Sequence, residues 1–265
     1  MQPVISFISD FGLDDTWVGV CHARIFSRCP DVRVVDLGHQ VPVFDIRAGA
    51  SMAAAGVHQL PDAIHLVVVD PGVGGGRRDL IVTTRRGTLL VGPDNGVLIP
   101  AARRAGGVAS VVALNEPAPN APTFHARDVL APAAAALACG VRPESLGAAA
   151  NPDSLAAAPF GEPVREGGYV SGEVLEADRF GSLRFSIPGD DLGALGLDSD
   201  RLEIELGHNT LSVPFSATFC EVPIGEPIAL VDASGWLTLA VNMGSAIERY
   251  GVMPGAGVRV RSIGA

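Results

Sequence analysis

The segment IHLVVVDPGVGGGRR, residues 64–78, places an acid and two arginines on either side of a glycine-rich loop. Asp70 follows a short apolar run that is typical of a strand buried on both faces. The glycines let the backbone approach a ligand closely. Because ligands of open parallel sheets bind outside the carboxyl ends of the strands, Asp70 and Arg77 are candidate site residues. A solvated turn with paired charges explains this stretch equally well when it is taken alone.

Two earlier predicted strands also end in an acid. The first runs from Val4 to Ser9 and is followed by Asp10, and the second runs from Val32 to Asp36. Since the carboxyl ends of parallel strands meet at the same edge of a sheet, we expect Asp10, Asp36 and Asp70 to lie along one edge.

Helical patterns separate these strands, which favours a parallel sheet with helical crossovers. The first helix is predicted to begin at Asp14 or Asp15, which would cap it, and to extend to about Ser27. Further predicted elements are an Ala-rich helix over 45–58, a hairpin of strands 80–84 and 88–92, a short helix ending at 104, a strand over 110–114, a break at 117–122 and an Ala-rich helix over 123–140.

After residue 166 the pattern changes to short strands separated by turn residues, which is typical of a small barrel or sandwich. The predicted strands are 168–176, 181–187, 201–206, 209–213, 227–231, 237–241 and 258–263. The sequence therefore predicts an α/β domain over 1–150 with a mainly parallel sheet, a linker over 151–166, and a small all-β barrel over 167–265.

Composition restricts the possible partners. The chain has 265 residues, of which 48% are hydrophobic and 18% charged, as expected for a compact globular protein. Its formal charge of −10 and the absence of a basic stripe argue against a nucleic-acid partner. The N-terminal apolar run is too short for a signal peptide or a membrane span, so a cytoplasmic protein is predicted.

The cysteines show no C-x-x-C spacing and stand among apolar residues. We therefore expect reduced, buried thiols rather than a zinc site or a disulfide framework. The four residues are Cys21, Cys29, Cys139 and Cys220.

Seven short motifs, in this order, resemble the S-adenosyl-L-methionine hydroxide adenosyltransferase family, which is related to fluorinase and chlorinase. They are SDFG at 9–12, WVG at 17–19, VDPGVGGGRR at 69–78, GPDNG at 92–96, TFHARD at 123–128, DRFGS at 178–182 and NMGSA at 242–246. The resemblance spans both predicted domains.

The resemblance implies hydrolysis of S-adenosyl-L-methionine (SAM) to adenosine and L-methionine by water that attacks C5′ of the ribose. The implied catalytic residues are Asp70, Arg77 and His125. SAM is the substrate, so neither a cofactor nor a metal is implied. The resemblance also implies a homotrimer, with each site between the first domain of one subunit and the barrel of its neighbour.

The chemistry of this reaction explains the residue types. The sulfonium leaves as a neutral thioether and needs no acid, so the task is to activate and align water. His125 or Asp70 can act as the base, and the sequence does not decide between them. Arg77 can stabilise a developing hydroxide or keep Asp70 ionised. Taken alone, His125 would be interpreted as a core or helix-cap histidine, and the adjacent Arg127–Asp128 as a structural ion pair.

By the same resemblance Asp10 binds the ribose hydroxyls. The other implied substrate contacts are Phe44, Asp178, Phe180, Ser182, Ser234, Asn242 and Ser245. The chain departs from the family pattern in four places: Ser182 and Ser186 stand where asparagine is usual, Ala126 replaces a glycine, and DLGH at 36–39 replaces DITH.

Two alternative functions share the substrate. A halogenase would attack the same carbon with chloride or fluoride, but such enzymes lack the Asp, Arg and His set and have a longer loop, which the segment 78–117 does not show. A non-catalytic sensor of SAM or adenosine would keep the pocket without turnover. Dinucleotide binding is not favoured, because GVGGG lacks the G-x-G-x-x-G spacing.

Overall fold

The computed structural model describes residues 2–115 and 122–264. The chain forms two compact units, residues 1–159 and 160–265, so their boundary falls inside the predicted linker. The predicted break at 117–122 lies outside the described residues, apart from Pro122.

The first unit contains a seven-stranded sheet with the strand order β2-β1-β3-β5-β4-β6-β7. Its strands are β1 Val4–Ser9, β2 Arg33–Gly38, β3 Ile64–Val68, β4 Asp79–Thr84, β5 Leu89–Pro93, β6 Val108–Leu114 and β7 Gly147–Ala150. Strand β1 pairs parallel with β2 and β3, and β3 with β5. The β4–β5, β4–β6 and β6–β7 pairs are antiparallel.

The prediction of a mainly parallel sheet is therefore only half right. The β4–β5 hairpin inserts β5 beside β3, and a connection as short as the turn at Arg85–Gly87 can join only antiparallel strands. Each strand beyond β5 in the sheet, namely β4, β6 and β7, therefore runs antiparallel to the strand before it.

Helices cover both faces of this sheet. The helices of the first unit are α1 Trp17–Arg28, α2 Ile46–Gln59, α3 Ile99–Arg104, a π-helix Ala126–Leu130, and α4 Ala131–Ala138. Helices α1 and α4 share a core with Ile5 and Phe7 of β1, whereas Gly56 of α2 faces Ile8, on the other side of that strand. Asp45 caps α2 by accepting from Ala48 N at 3.0 Å. The predicted cap of α1 at Asp14 or Asp15 is wrong, because Thr16 occupies that position without a side-chain bond.

The expectation of four reduced, buried thiols is also wrong. Cys29 and Cys139 form a disulfide, with their Cα atoms 5.7 Å apart. They occupy the C-caps of α1 and α4 and are 110 residues apart in sequence, a proximity that spacing alone cannot predict. Cys220 is exposed. Cys21 is buried, and burial raises the pKa of its thiol to about 12.

The second unit is an eight-stranded sheet whose described pairs are antiparallel and which nearly closes on itself. Its strands are β8 Val164–Glu166, β9 Tyr169–Ala177, β10 Leu183–Pro188, β11 Arg201–Leu206, β12 Asn209–Pro214, β13 Pro227–Val231, β14 Trp236–Val241 and β15 Gly257–Ser262. The order is β12-β11-β15-β9-β10-β14-β13, with β8 on β9 and a single bridge from Phe215 to Ala229 near the opening. The seven strands predicted for this region are confirmed.

Two short helices complete the second unit, α5 Leu192–Leu195 and α6 Ala246–Tyr250. Its core is formed by inward-facing side chains such as Phe185, Ile204 and Val260. Across both described ranges, every helix is too short or too polar to cross a membrane.

Candidate functional site

Four acids lie along one edge of the seven-stranded sheet. Asp10 and Asp94 directly follow β1 and β5, and Asp70 follows the end of β3. Asp79 begins β4 and is paired in register with the last residue of β5, so the antiparallel direction of β4 brings it to the same edge. Asp36, by contrast, lies inside β2, two residues before its end.

Arg77 joins two of these acids. Its Nε donates to Oδ1 of Asp70 at 2.8 Å, and its Nη2 donates to Oδ2 of the same carboxylate. Its Nη1 donates to Oδ1 of Asp79. The second oxygen of Asp79 lies 2.7 Å from Nδ1 of His125. Asp70, Arg77, Asp79 and His125 thus form one continuous network, which we call the edge network.

The edge network is almost completely buried. The side chains of Asp70, Arg77, Asp79 and His125 are exposed by 7, 10, 0 and 5%. Burial disfavours the charged guanidinium, but hydrogen bonds and charge from Asp70 and Asp79 outweigh it and raise the pKa of Arg77. Burial raises the pKa of Asp79, against the opposing effects of Arg77 and His125.

A glycine explains how the loop after β3 meets the segment that carries His125. Gly74 has a φ of +75°, and a Cβ at this position would lie 2.7 Å from the carbonyl oxygen of Pro122. Only glycine tolerates both the conformation and the approach. The glycine-rich loop therefore packs directly against the residues that precede His125.

The backbone changes its helical form immediately after His125. Residues Ala126–Leu130 form a π-helix, a rare arrangement that is often found at functional sites. Within it, Arg127 donates twice to Asp128, each time at 2.7 Å, which confirms the predicted structural pair.

Asp10 and Phe44 are brought together as substrate-binding candidates. The backbone N–H of Phe44 donates to Oδ2 of Asp10 at 2.9 Å. Phe44 has a φ of +67°, unusual for a non-glycine residue, and its side chain is 67% exposed. This contact fixes one carboxylate oxygen of Asp10.

A histidine cluster holds the loop of Asp10. Ser9 Oγ lies 2.7 Å from Nδ1 of His39, and the His39 carbonyl accepts from Gly12 N at 2.7 Å. His39 Nε2 lies 3.0 Å from Oδ1 of Asp36 but makes no hydrogen bond among the described residues, whereas His22 Nε2 is hydrogen-bonded to the same oxygen at 2.9 Å.

Three aromatic rings from separate motifs meet near this loop. Phe11 contacts Trp17 and Phe124 with ring centroids 5.8 and 5.9 Å apart, and Trp17 lies 6.4 Å from Phe124. Edge-to-face packing of this kind connects SDFG, WVG and the segment before His125. No local pattern predicts that these rings converge.

In the second unit, Asp178 organises the turn between β9 and β10. Its Oδ1 accepts from the backbone N–H groups of Phe180 and Ser182, at 2.8 and 2.9 Å. The turn leaves the Phe180 ring 78% exposed and buries Ser182.

The segment after β14 packs against this turn. Ile247 N donates to the Gly181 carbonyl at 2.9 Å, and a Cβ on Gly181 would lie 2.2 Å from Oγ of Ser245. Asn242 Nδ2 donates to the carbonyl of Val222 at 2.7 Å, and Ser245 caps α6. Five predicted residues therefore gather at one end of the second unit: Asp178, Phe180, Ser182, Asn242 and Ser245.

Ser234 does not join this group. It lies in the turn before β14, at the opposite end of that strand from Asn242, where its backbone N–H donates to Asp232 at 2.9 Å.

Asp79 is the site residue that the sequence analysis missed. Its signal was present but weak: an acid directly after the arginine pair, immediately before the first strand of a predicted hairpin. Asp79 does not fit the pattern of an acid at the carboxyl end of a strand, because β4 begins at that edge instead of ending there.

Comparison with known proteins gives matches over most of the chain. Residues 5–147 match the family model of the SAM hydroxide adenosyltransferase N-terminal domain, and residues 172–259 match that of the C-terminal domain. The chain is 40% identical over 264 residues to a protein of Salinispora arenicola named (R)-S-adenosyl-L-methionine hydrolase, with 97% of each chain covered.

Two more distant matches complete the comparison. A fluorinase of an Actinoplanes species is 26% identical over 292 residues, covering 98% of this chain and 97% of the other. A crystal structure of an uncharacterized conserved protein from Thermotoga maritima superposes with a TM-score of 0.88 at 31% identity, covering 97% of this chain and all of that one.

Proposed function

Because this chain belongs to the SAM hydroxide adenosyltransferase family, we propose that it hydrolyses S-adenosyl-L-methionine to adenosine and L-methionine. The observation that supports this most is the edge network, in which Asp70, Arg77 and His125 are connected at the same sheet edge as Asp10. The identity of 40% to a named hydrolase, against 26% to a fluorinase, favours water over halide as the nucleophile.

The proposed reaction is one in-line displacement. The water oxygen forms a bond to C5′ while the C5′–S bond breaks, and its electron pair stays on sulfur as neutral methionine. The proton lost from water passes to a base of the edge network and then to solvent. No acid is needed for the leaving group, so catalysis depends on aligning and deprotonating water.

Arg77 is suited to hold the water. A guanidinium has five N–H donors, and the bonds to Asp70 and Asp79 use three of them. The two others can donate to the oxygen as it becomes hydroxide-like. In this proposal Asp70, Arg77 and His125 are the catalytic residues.

The substrate is proposed to contact both units. Asp10 accepts from the ribose hydroxyls through the oxygen not used by Phe44, and the exposed Phe44 ring packs on the ligand. In the second unit Phe180 stacks on adenine, with Asp178, Ser182, Asn242 and Ser245 around it. Ser234 remains an untested expectation from the resemblance.

We propose a homotrimer in which each site combines the first unit of one subunit with the barrel of its neighbour. Exposed apolar side chains on both units support an interface there. They are Leu13, Val43 and Phe44 in the first unit and Phe180, Ile224 and Met243 in the second.

The cytoplasmic location predicted from the sequence remains a proposal. The Cys29–Cys139 disulfide argues in the other direction, because disulfides are rare in a reducing compartment. Cell fractionation with a tagged chain tests the location directly.

The function is tested by incubating the purified protein with SAM in halide-free buffer and following adenosine and methionine by chromatography. We expect both products in equal amounts. Chloride and fluoride are then added in separate reactions. Halogenated adenosine as the main product would establish a halogenase, and binding without turnover would establish a sensor.

A further inference from the structure

The structure assigns to Asp79 the role of a positioning residue that makes Nε2 of His125 the general base. This inference rests on the proposed hydrolysis and deepens it, because it decides between the two candidate bases. Three features of the edge network support this role: the donors from which each carboxylate accepts, the depth at which Asp79 is buried, and the position of Asp79 on β4.

Asp70 is poorly placed to be the base. Both of its oxygens accept from the same guanidinium, Oδ1 from Nε of Arg77 and Oδ2 from Nη2. Such a bidentate pair stabilises the ionised carboxylate, and protonating it would break a charge-assisted bond. Asp70 is therefore best understood as the group that fixes the plane of the Arg77 guanidinium.

Asp79 divides its two oxygens between two partners. Oδ1 accepts from Arg77, and Oδ2 lies 2.7 Å from Nδ1 of His125. The cationic guanidinium of Arg77, which donates to Oδ1, opposes the effect of burial and favours the ionised form of Asp79. An ionised carboxylate can only accept, so Nδ1 carries the proton, and in neutral imidazole Nε2 is then the unprotonated nitrogen. Nε2 has the lone pair that can take a proton from water.

The position of Asp79 in the fold keeps this arrangement fixed. Its side chain is completely buried, and its backbone is the first residue of β4, in register with Pro93 of β5. A carboxylate on a strand of a seven-stranded sheet moves less than one on a loop. It orients the imidazole in the same way as the aspartate of a Ser-His-Asp triad, without touching the substrate.

The first test measures the tautomer of His125 and does not depend on turnover. In protein labelled with ¹⁵N-histidine, NMR is expected to show the proton of His125 on Nδ1. Asp79→Asn can donate its amide to Nδ1, so a substantial population with the proton on Nε2 is expected. An unchanged His125 tautomer in this variant would overturn the inference.

The second test measures SAM hydrolysis. We expect Asp79→Asn to lower kcat by about a hundredfold or more and to change KM less than about threefold. The acid limb of the kcat–pH profile should move to lower pH by about one unit, since a negative charge beside His125 is lost while Arg77 and Asp70 remain. A kcat and acid limb like those of the wild type would overturn the inference.

Asp94→Asn is the matched control. Asp94 lies at the same sheet edge and binds an arginine, since Arg78 Nε donates to it at 2.8 Å. This variant should leave the tautomer and the acid limb where they are in the wild type. If wild-type protein shows the Nδ1–H tautomer but does not hydrolyse SAM, the proposed function fails, and with it the role of Nε2 as a base, whereas the orientation of His125 by Asp79 stands.

Discussion

At the scale of single residues, the edge network shows how three side chains from residues 70–79 and the distant His125 can act as one group. Arg77 carries the positive charge that lets Asp70 and Asp79 share a buried space. Two carboxylates this close would otherwise repel each other and favour a protonated form. Ser186, which stands where the family usually has asparagine, is not part of the edge network. Its buried Oγ accepts from Glu173 N at 3.0 Å inside the second unit.

His125→Ala is expected to lower kcat by about a hundredfold or more, because it removes the base while Asp10 and Phe44 remain to bind the nucleoside. Steady-state kinetics with SAM and calorimetric titration with adenosine measure the two effects separately. His208→Ala is the control, since His208 is exposed in the turn between β11 and β12. Turnover of His125→Ala close to that of the wild type would remove His125 from the mechanism.

At the scale of an element, β3 contains a histidine that the proposed reaction does not use. His65 is completely buried, with Nδ1 2.7 Å from Ser6 Oγ and Nε2 3.1 Å from the Leu60 carbonyl. Burial lowers the pKa of His65 to about 4. The strand thus holds a neutral imidazole that links β3 to β1.

This histidine makes the stability of the first unit depend on pH. Between pH 6.5 and about 4 the unfolded chain binds a proton at His65 that the folded chain does not, so stability falls as the pH falls. The expected loss from this residue between pH 7 and 5 is about 2 kcal/mol. Urea denaturation at both pH values measures it.

His65→Gln is expected to lose less stability than the wild type over the same pH interval, although it is less stable at pH 7. His208→Gln should show the full wild-type loss, because its imidazole is exposed in both states. If His65→Gln lost as much stability as the wild type, the acid sensitivity would have another origin.

At the scale of the whole molecule, the proposed trimer predicts that two inactive variants restore activity when they assemble together. A chain that forms its complete site alone would not show this. His125→Ala disables the first unit and Phe180→Ala the second, so each variant alone should have little activity. When equal amounts are co-expressed, chance assembly of a closed ring gives about one site in four with both parts intact. Activity of about a quarter of the wild-type value is expected.

Light scattering on the same samples should give about three times the chain mass of 27.3 kDa. Co-expressed variants that stay inactive in a trimer of this mass would show that each site is completed within one chain.

Much of this protein was determined by local sequence. The apolar runs specified the strands, Asp45 specified the start of α2, and the motifs specified the family. Short strands separated by turn residues are encoded locally, which is why the barrel strands were predicted correctly.

Only the tertiary structure decided how these elements meet. The direction of β4 brought Asp79 to the edge, and the fold joined Cys29 to Cys139 across 110 residues. The sequence predicts the β4–β5 hairpin, but only the pairing of β5 with β3 places the start of β4 at the edge that carries Asp70. The disulfide has no local signal, because contacts between distant helix ends depend on how the whole sheet is ordered. The sequence therefore supplied Asp70, Arg77 and His125, and the fold supplied the carboxylate that connects them.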